Sequence, residues 1–170
     1  MPFSLIPDVI FDGYAQLTPT WLKDRGITLL LSDLDFTLAP KSVRRPDDAL
    51  KAWISELKEA GITFVIISNN RSPERVEEYC AELGVSYQGH AGKPNPRGLL
   101  AAMAQNGVEK GNTAMLGDKL LTDVLAAHNA GVLSLMVEPV GGAVTPWQKV
   151  LHTLQRPFKA ICSEDFRKEV

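Results

Sequence analysis

Three stretches, ITLLLSD (27–33), ITFVIIS (62–68) and TAMLGD (113–118), are apolar almost throughout and then stop on a polar side chain. A strand with one wet face alternates apolar and polar residues. These do not alternate, so each must be covered on both sides. The segments between them supply the cover. In PDDALKAWISELKEAG, Leu50, Trp53, Ile54 and Leu57 recur at i, i+3, i+4 and i+7, which predicts a helix ended by Gly61. SPERVEEYCAELG predicts another, with Ser72 as cap, Pro73 at the first helical position and Gly84 after the end. TPTWLKDRG has Thr18 as N-cap, Pro19 next and Gly26 as a stop. NPRGLLAAMAQNG reads as a helix from Asn95 to Asn106, and LLTDVLAAHNAG as one more. VSYQGHA and VLSLMVEPV predict a third and a fifth strand, and TPWQKVLHTLQ closes with a helix whose Thr145 and Gln148 have capping-box spacing. The expected fold is α/β, a three-layer Rossmann-like parallel sheet with helices on both faces, in one domain over residues 1–170.

Composition narrows the function. The 170 residues are 45% hydrophobic and 22% charged, with a formal net charge of -2 and no basic stripe, which speaks against nucleic acid as a partner. The start carries Asp8 inside its apolar stretch and lacks a positive n-region, unlike a signal peptide. No apolar run approaches the ~20 residues of a membrane helix. Cys80 and Cys162 match no metal or disulfide framework; Cys80, in a predicted helix, reads as a buried or half-buried free thiol, and a reducing cytoplasm fits. Trp21, Trp53 and Trp147 read as packing residues, and His90 and His128 as ordinary surface or core histidines.

In open parallel sheets, ligands bind beyond the carboxyl ends of the strands. The side chains expected there are Asp33, Ser68 and Asp118, with Lys93 just after the third strand. Two carboxylates at one strand end repel each other and lose water. A divalent cation relieves this, and Mg²⁺ takes hard oxygen ligands such as Asp33, Asp118 and a backbone carbonyl near Asp35. A cation, a lysine and the hydroxyl and amide donors of Ser68 and Asn69 suit a phosphoryl group. One carboxylate can attack phosphorus while a second moves the proton.

These residues resemble a known family. DLDFTL is similar to the first motif, DxDx[TV], of the haloacid dehalogenase (HAD) superfamily of phosphatases. IISNN resembles its second motif, GKPNP its lysine motif and GDKLLTDV its acidic fourth motif. The four stand in family order from Gly26 to Val137. The opening, FSLIPDVIFDGYAQLTPTWLKDRGITLLLSDLD, is similar to the YqeG-type HAD-IIIA group, relatives of the phosphatidylglycerophosphate phosphatases.

The resemblance implies a HAD-like Mg²⁺-dependent phosphomonoester hydrolase working through an aspartyl-phosphate. It implies Asp33 as nucleophile and metal ligand, and Asp35 as general acid/base whose carbonyl reaches the metal. Thr37 braces the turn beside the phosphoryl group. Ser68 and the Asn69 amide bind phosphoryl oxygens, Lys93 steadies nucleophile and phosphoryl charge, Asp118 ligates the metal, and Asp123 acts behind it on bound water or on Lys93. Two departures stand out: Phe36 replaces the usual Asn or Gly, and His128–Asn129 replace a common Asn-Arg.

Many relatives carry a cap domain after the first motif or between the second and third. Here one helix fills the first interval, and one helix with a short strand fills the second, so no cap domain is expected. An open site suits a bulky substrate or a lipid headgroup met at a membrane surface, and an oligomer could cover it. APKSVRRP is the expected flap, with Arg44 and Arg45 either meeting an anionic substrate or forming a solvated turn. Phosphatidylglycerophosphate is the substrate implied by resemblance. A soluble sugar or nucleotide phosphatase, a non-catalytic phosphate-binding or assembly protein and a receiver domain are the alternatives.

Overall fold

A computed structural model describes residues 4–142 and 145–168. The expected strands form as β2 (Leu29–Ser32), β3 (Thr63–Ile67), β4 (Ser86–Gln88), β5 (Thr113–Gly117) and β6 (Leu133–Val137). Two more join them, β1 (Val9–Phe11) near the start and β7 (Glu164–Asp165) near the end. All pair in parallel, in the order β4-β3-β2-β5-β6-β1-β7. β1 and β7 have two or three residues each, too few to show a period. They exist because β6 offers an open edge, on which Val9 pairs with Leu135 and, beyond it, with Glu164.

The helices are α1 (Pro19–Asp24), α2 (Asp48–Glu59), α3 (Pro73–Leu83), α4 (Arg97–Asn106), α5 (Leu125–Ala130) and α6 (Pro146–Ala160). On one face of the sheet, α1, α2 and α3 pack Leu22, Trp53, Leu57 and Tyr79 against Leu30, Phe64, Ile66 and Leu116. On the other, α4 and α5 pack Leu99, Ala102 and Ala127 against Leu29, Leu31, Val65 and Met115. The odd and even residues of one strand thus serve two cores, as the absence of alternation required. The whole predicted stripe of α2 is buried. Between Thr37 and β3 there is only α2, and between Asn70 and Lys93 only α3 and β4, so neither interval carries a cap.

Local details sharpen the expectations. Thr18 caps α1 by accepting from Trp21 N, and the Thr145–Gln148 box forms as read. Ser72 stands at the N-cap of α3 without a capping bond; Asn70 Oδ1 instead accepts from Ser72 N. The segment expected as one helix after Asp118 opens with a wider π-turn, Leu120–Val124, before α5. Cys80 and Cys162 are free and buried. Trp53 is buried, donating to the Leu17 carbonyl, and Trp21 packs edge-on to Phe11. Trp147 departs from its expected packing role. It is 67% exposed on α6, because that helix turns its polar side to the body.

The start of the chain is tied down at the amino edge of the sheet. Asp8 Oδ2 accepts from the backbone and hydroxyl of Ser134, and Ser134 Oγ lies 3.0 Å from His128 Nε2. His128 Nδ1 lies 2.8 Å from the Ser4 carbonyl. The Asp8 carboxylate, 3.6 Å from His128 Nε2, outweighs burial and raises His128 above its ordinary 6.5. Stability from a raised histidine is complete below the unfolded value and is lost as pH rises through the folded one. The gap in urea midpoint between wild type and His128→Gln should therefore narrow from about pH 5.5 to about pH 8.5. A gap that stays constant would refute this lock.

Candidate active site

The carboxyl ends of the central strands deliver the predicted side chains to one place. Asp33 follows β2, Ser68 follows β3 and Asp118 follows β5; Lys93 enters from the loop after β4. All four are buried, as are Thr37 and Asp123. Strand register sets this depth: Asp33 N donates to the Leu116 carbonyl, continuing the β2–β5 ladder one residue past the strand.

Lys93 Nζ bridges Asp33 Oδ1 at 2.9 Å and Asp123 Oδ1 at 2.7 Å. Burial opposes the Lys93 charge, but Asp123 and Asp33 together outweigh it and hold the ammonium above its usual range. Lys119 Nζ sits on both oxygens of Asp118, at 3.0 and 3.2 Å. Carboxylate oxygens of Asp33, Asp118 and Asp123 lie within 4.8 Å of one another. Burial raises Asp33 against the pull of Lys93, and pushes Asp118 up to about 7 against the pull of Lys119. Three crowded carboxylates facing two ammonium groups are short of positive charge. Hard oxygen donors in this state fit a divalent cation such as Mg²⁺. Asp123 joins this cluster through Lys93, one of the two partners the sequence suggested for it.

The turn after β2 accounts for the DLDFTL spacing. Phe36 N donates to the Ala39 carbonyl and Leu38 N to the Leu34 carbonyl, folding the chain back on itself. That turn puts Phe36 at φ 66°, a left-handed conformation that costs a side-chain-bearing residue about 1–2 kcal/mol. The family's Asn or Gly at this position is thereby explained, and so is the cost of Phe36. Thr37 is fully buried, and its hydroxyl donates to Asp118 Oδ1 at 3.2 Å. It braces the turn and ties it to Asp118.

The Asp35 side chain stands apart from the carboxylate cluster. Arg75 pairs with Asp35 Oδ1, and Asn70 Nδ2 donates to Oδ2 at 3.1 Å. The same guanidinium donates to the carbonyls of Val43 and Pro40. Arg75 thus joins Asp35 to the APKSVRRP flap. Of the two flap arginines, Arg45 pairs with Glu82 on α3, and Arg44 is exposed. Ser68 Oγ accepts from Asn70 N at 3.0 Å. The Asn69 side chain and the Lys93 backbone exchange two hydrogen bonds, tying the second-motif loop to the lysine loop.

Lys119, Arg75 and Asn70 were missed by sequence reasoning. Lys119 had a signal, a cation directly beside Asp118. Arg75 shares a helix face with Tyr79 and Leu83, where an apolar residue would be expected. Asn70 closes the IISNN string and carried no separate signal.

Gly117 fixes Asp123. A Cβ on Gly117 would meet Asp123 Cβ at 2.2 Å and Cγ at 2.3 Å. The close approach lets Asp123 Oδ2 accept from Lys119 N while Oδ1 holds Lys93. Gly117→Ala should displace Asp123 and lower turnover by roughly 10²-fold or more in a phosphatase assay. Near wild-type turnover in a folded variant would refute the constraint.

Comparison with known proteins follows the same lines. A family model for haloacid dehalogenase-like hydrolases matches residues 14–131. A probable phosphatase, YqeG, of Bacillus subtilis is 32% identical over 138 residues, covering 81% of this chain and 80% of that protein. Among solved structures, the cobalt-bound deoxy-D-mannose-octulosonate 8-phosphate phosphatase of Haemophilus influenzae superposes with a TM-score of 0.57 at 17% identity, over 78% of this chain and 89% of that one. The 3-deoxy-D-manno-octulosonate 8-phosphate phosphatase of Moraxella catarrhalis, in complex with magnesium, phosphate and the sugar acid, gives 0.53 at 18% identity, over 81% and 90%. At these identities the structures share the fold alone. The sequence matches go further, and the chain belongs to the haloacid dehalogenase-like hydrolases, as an enzyme of their phosphatase type.

Proposed function

We propose that the chain is a Mg²⁺-dependent phosphomonoester hydrolase that carries the phosphoryl group transiently on Asp33. The observation supporting this best is the buried Asp33–Lys93–Asp123 bridge beside Asp118, at the carboxyl ends of the central strands. Asp33, Asp118 and Asp123, with the Asp35 carbonyl, would hold the cation. When bound, it would neutralise phosphoryl charge and screen the carboxylates from one another.

The chain's own groups account for the rest. An Asp33 carboxylate oxygen attacks phosphorus, and the bond to the leaving oxygen breaks. Lys93 keeps Asp33 aimed and offsets charge on the transferring group. Ser68 Oγ and the Asn69 amide donate to phosphoryl oxygens. Asp35 gives its proton to the leaving oxygen, then takes one from the water that cleaves the acyl-phosphate. To reach that oxygen, the Asp35 carboxyl must exchange its Arg75 contact for the substrate. Arg75 is therefore a positioning residue. Residues 1–170 act as one domain in this reading.

Phosphatidylglycerophosphate is the substrate we favour. Beside Asp118 and Lys119, the cleft is lined by Phe36, Pro139 and Leu151 together with the polar Gln148, His152 and Gln155, a mixed wall whose apolar part would meet the body of an amphiphile. Lys119 Nζ lies 5.5 Å from the centre of the Phe36 ring. Neither interval between the motifs carries a cap domain to cover this cleft. Soluble sugar phosphates are the second reading, since two structural neighbours are named for a sugar-acid phosphate.

Asp33→Asn should lower kcat by roughly 10³-fold or more, and chelation should abolish turnover that added Mg²⁺ restores. Full activity in Asp33→Asn would sink the mechanism. Phe36→Asn should raise KM for phosphatidylglycerophosphate about tenfold while leaving an aryl phosphate less affected. Equal effects on both would reduce Phe36 to packing, and a preference for soluble sugar phosphates would overturn the substrate.

A further inference from the structure

Helix α6 is mounted with its apolar side out. Trp147, Val150, Leu154 and Ile161, just past its end, fall on one stripe at i, i+3, i+7 and i+14 and are 67, 48, 62 and 62% exposed. The contacts to the body come largely from the other side. Gln148, His152 and Gln155 face the active-site cleft, and Lys159 is buried against Glu138. Only Phe158 reaches the core, beside Ile10 and Met136. A helix stabilised by core burial would turn the opposite way.

We propose that this stripe docks on an anionic lipid bilayer and sets the mouth of the active site at headgroup level. Side-chain chemistry favours that occupant. From Val140 to Ser163 the chain has no carboxylate, yet it carries Lys149, Arg156 and Lys159, in a protein whose net charge is -2. Lys149 and Arg156 are exposed on the polar side of the helix. Bulky apolar groups on one side, cations on the other and a tryptophan at one end are the features of helices lying in a membrane interface. Four exposed side chains make a small patch against the ~800 Å² per partner of a standard protein interface. A lipid surface has no such threshold, since each inserted side chain adds to binding by itself. The placement fits too: Gln148 and Leu151 of α6 share the cleft with Phe36, Asp118 and Lys119. Delivery of a lipid phosphate through that cleft rests on the proposed function; the docking itself does not.

Sedimentation with vesicles of equal parts phosphatidylcholine and phosphatidylglycerol tests the docking. The chain should partition onto them roughly tenfold or more better than onto phosphatidylcholine alone, given two exposed cations. Trp147→Glu with Leu154→Glu should lower that partition about tenfold or more, with an unchanged urea midpoint because both side chains are exposed. Absence of binding to the anionic vesicles, or full binding by the double variant, would overturn the proposal. So would a dimer in size-exclusion chromatography that the double variant splits, which would assign the stripe to a second copy. Asp33→Asn should bind the vesicles as wild type does, so the docking and the phosphatase mechanism fail separately.

Discussion

Lys93 shares one buried ammonium between Asp33 and Asp123, and the surrounding chain is arranged to make that possible. A buried lysine costs far more than a surface one unless its charge is met on both sides. Asp33 must therefore stand at the end of β2, Asp123 must fold back from the π-turn, and the lysine loop must be pinned, which Asn69 does through the Lys93 backbone. The bridge leaves Asp118 with Lys119, and leaves the three carboxylates short of positive charge. This shortage suits the cluster to a hard dication. A bare lysine–aspartate bridge would give no reason to add a third acid.

Much of this was legible because parallel α/β folds separate packing from chemistry along the chain. Unbroken apolar runs report strands covered on both faces, and the polar side chain on which each stretch ends reports the ligand edge. Asp33, Ser68 and Asp118 follow from that rule. The rule has no hold on strands as short as β1 and β7, where pairing with β6 supplies the order that pattern cannot. It also misses Arg75 and Lys119, since one charged residue in a helix or after a motif looks the same whether it faces water or a carboxylate.

Periodicity likewise tells which residues share a face, but not what the face meets. α2 and α6 show the same kind of stripe. That of α2 is buried on the sheet, while that of α6 is largely exposed. The difference lies in the neighbours. β3 and β2 offer α2 an apolar wall, whereas α6 meets the carboxyl edge, where the wall is the active-site cleft and Glu138. A polar wall selects the polar side of an amphipathic helix and leaves the apolar side for another surface.

Phe36 joins the two themes. The turn that presents Asp33 and Asp35 demands a left-handed residue, and Asn or Gly would meet the demand at lower cost. A residue kept at a strained position needs compensation nearby. Packing supplies little of it, since the ring is only half-buried, and it lines the cleft that Leu151 of α6 also lines. Strain at Phe36 and exposure at Trp147 are both unfavourable for a chain alone in water. They stand on different faces: Phe36 lines the cleft with Leu151 among the polar Gln148, His152 and Gln155 of α6, and Trp147 is on the outward stripe of the same helix. Under the proposed docking, a lipid surface against the stripe would offset the exposure, and a substrate beside the Phe36 ring would offset the strain.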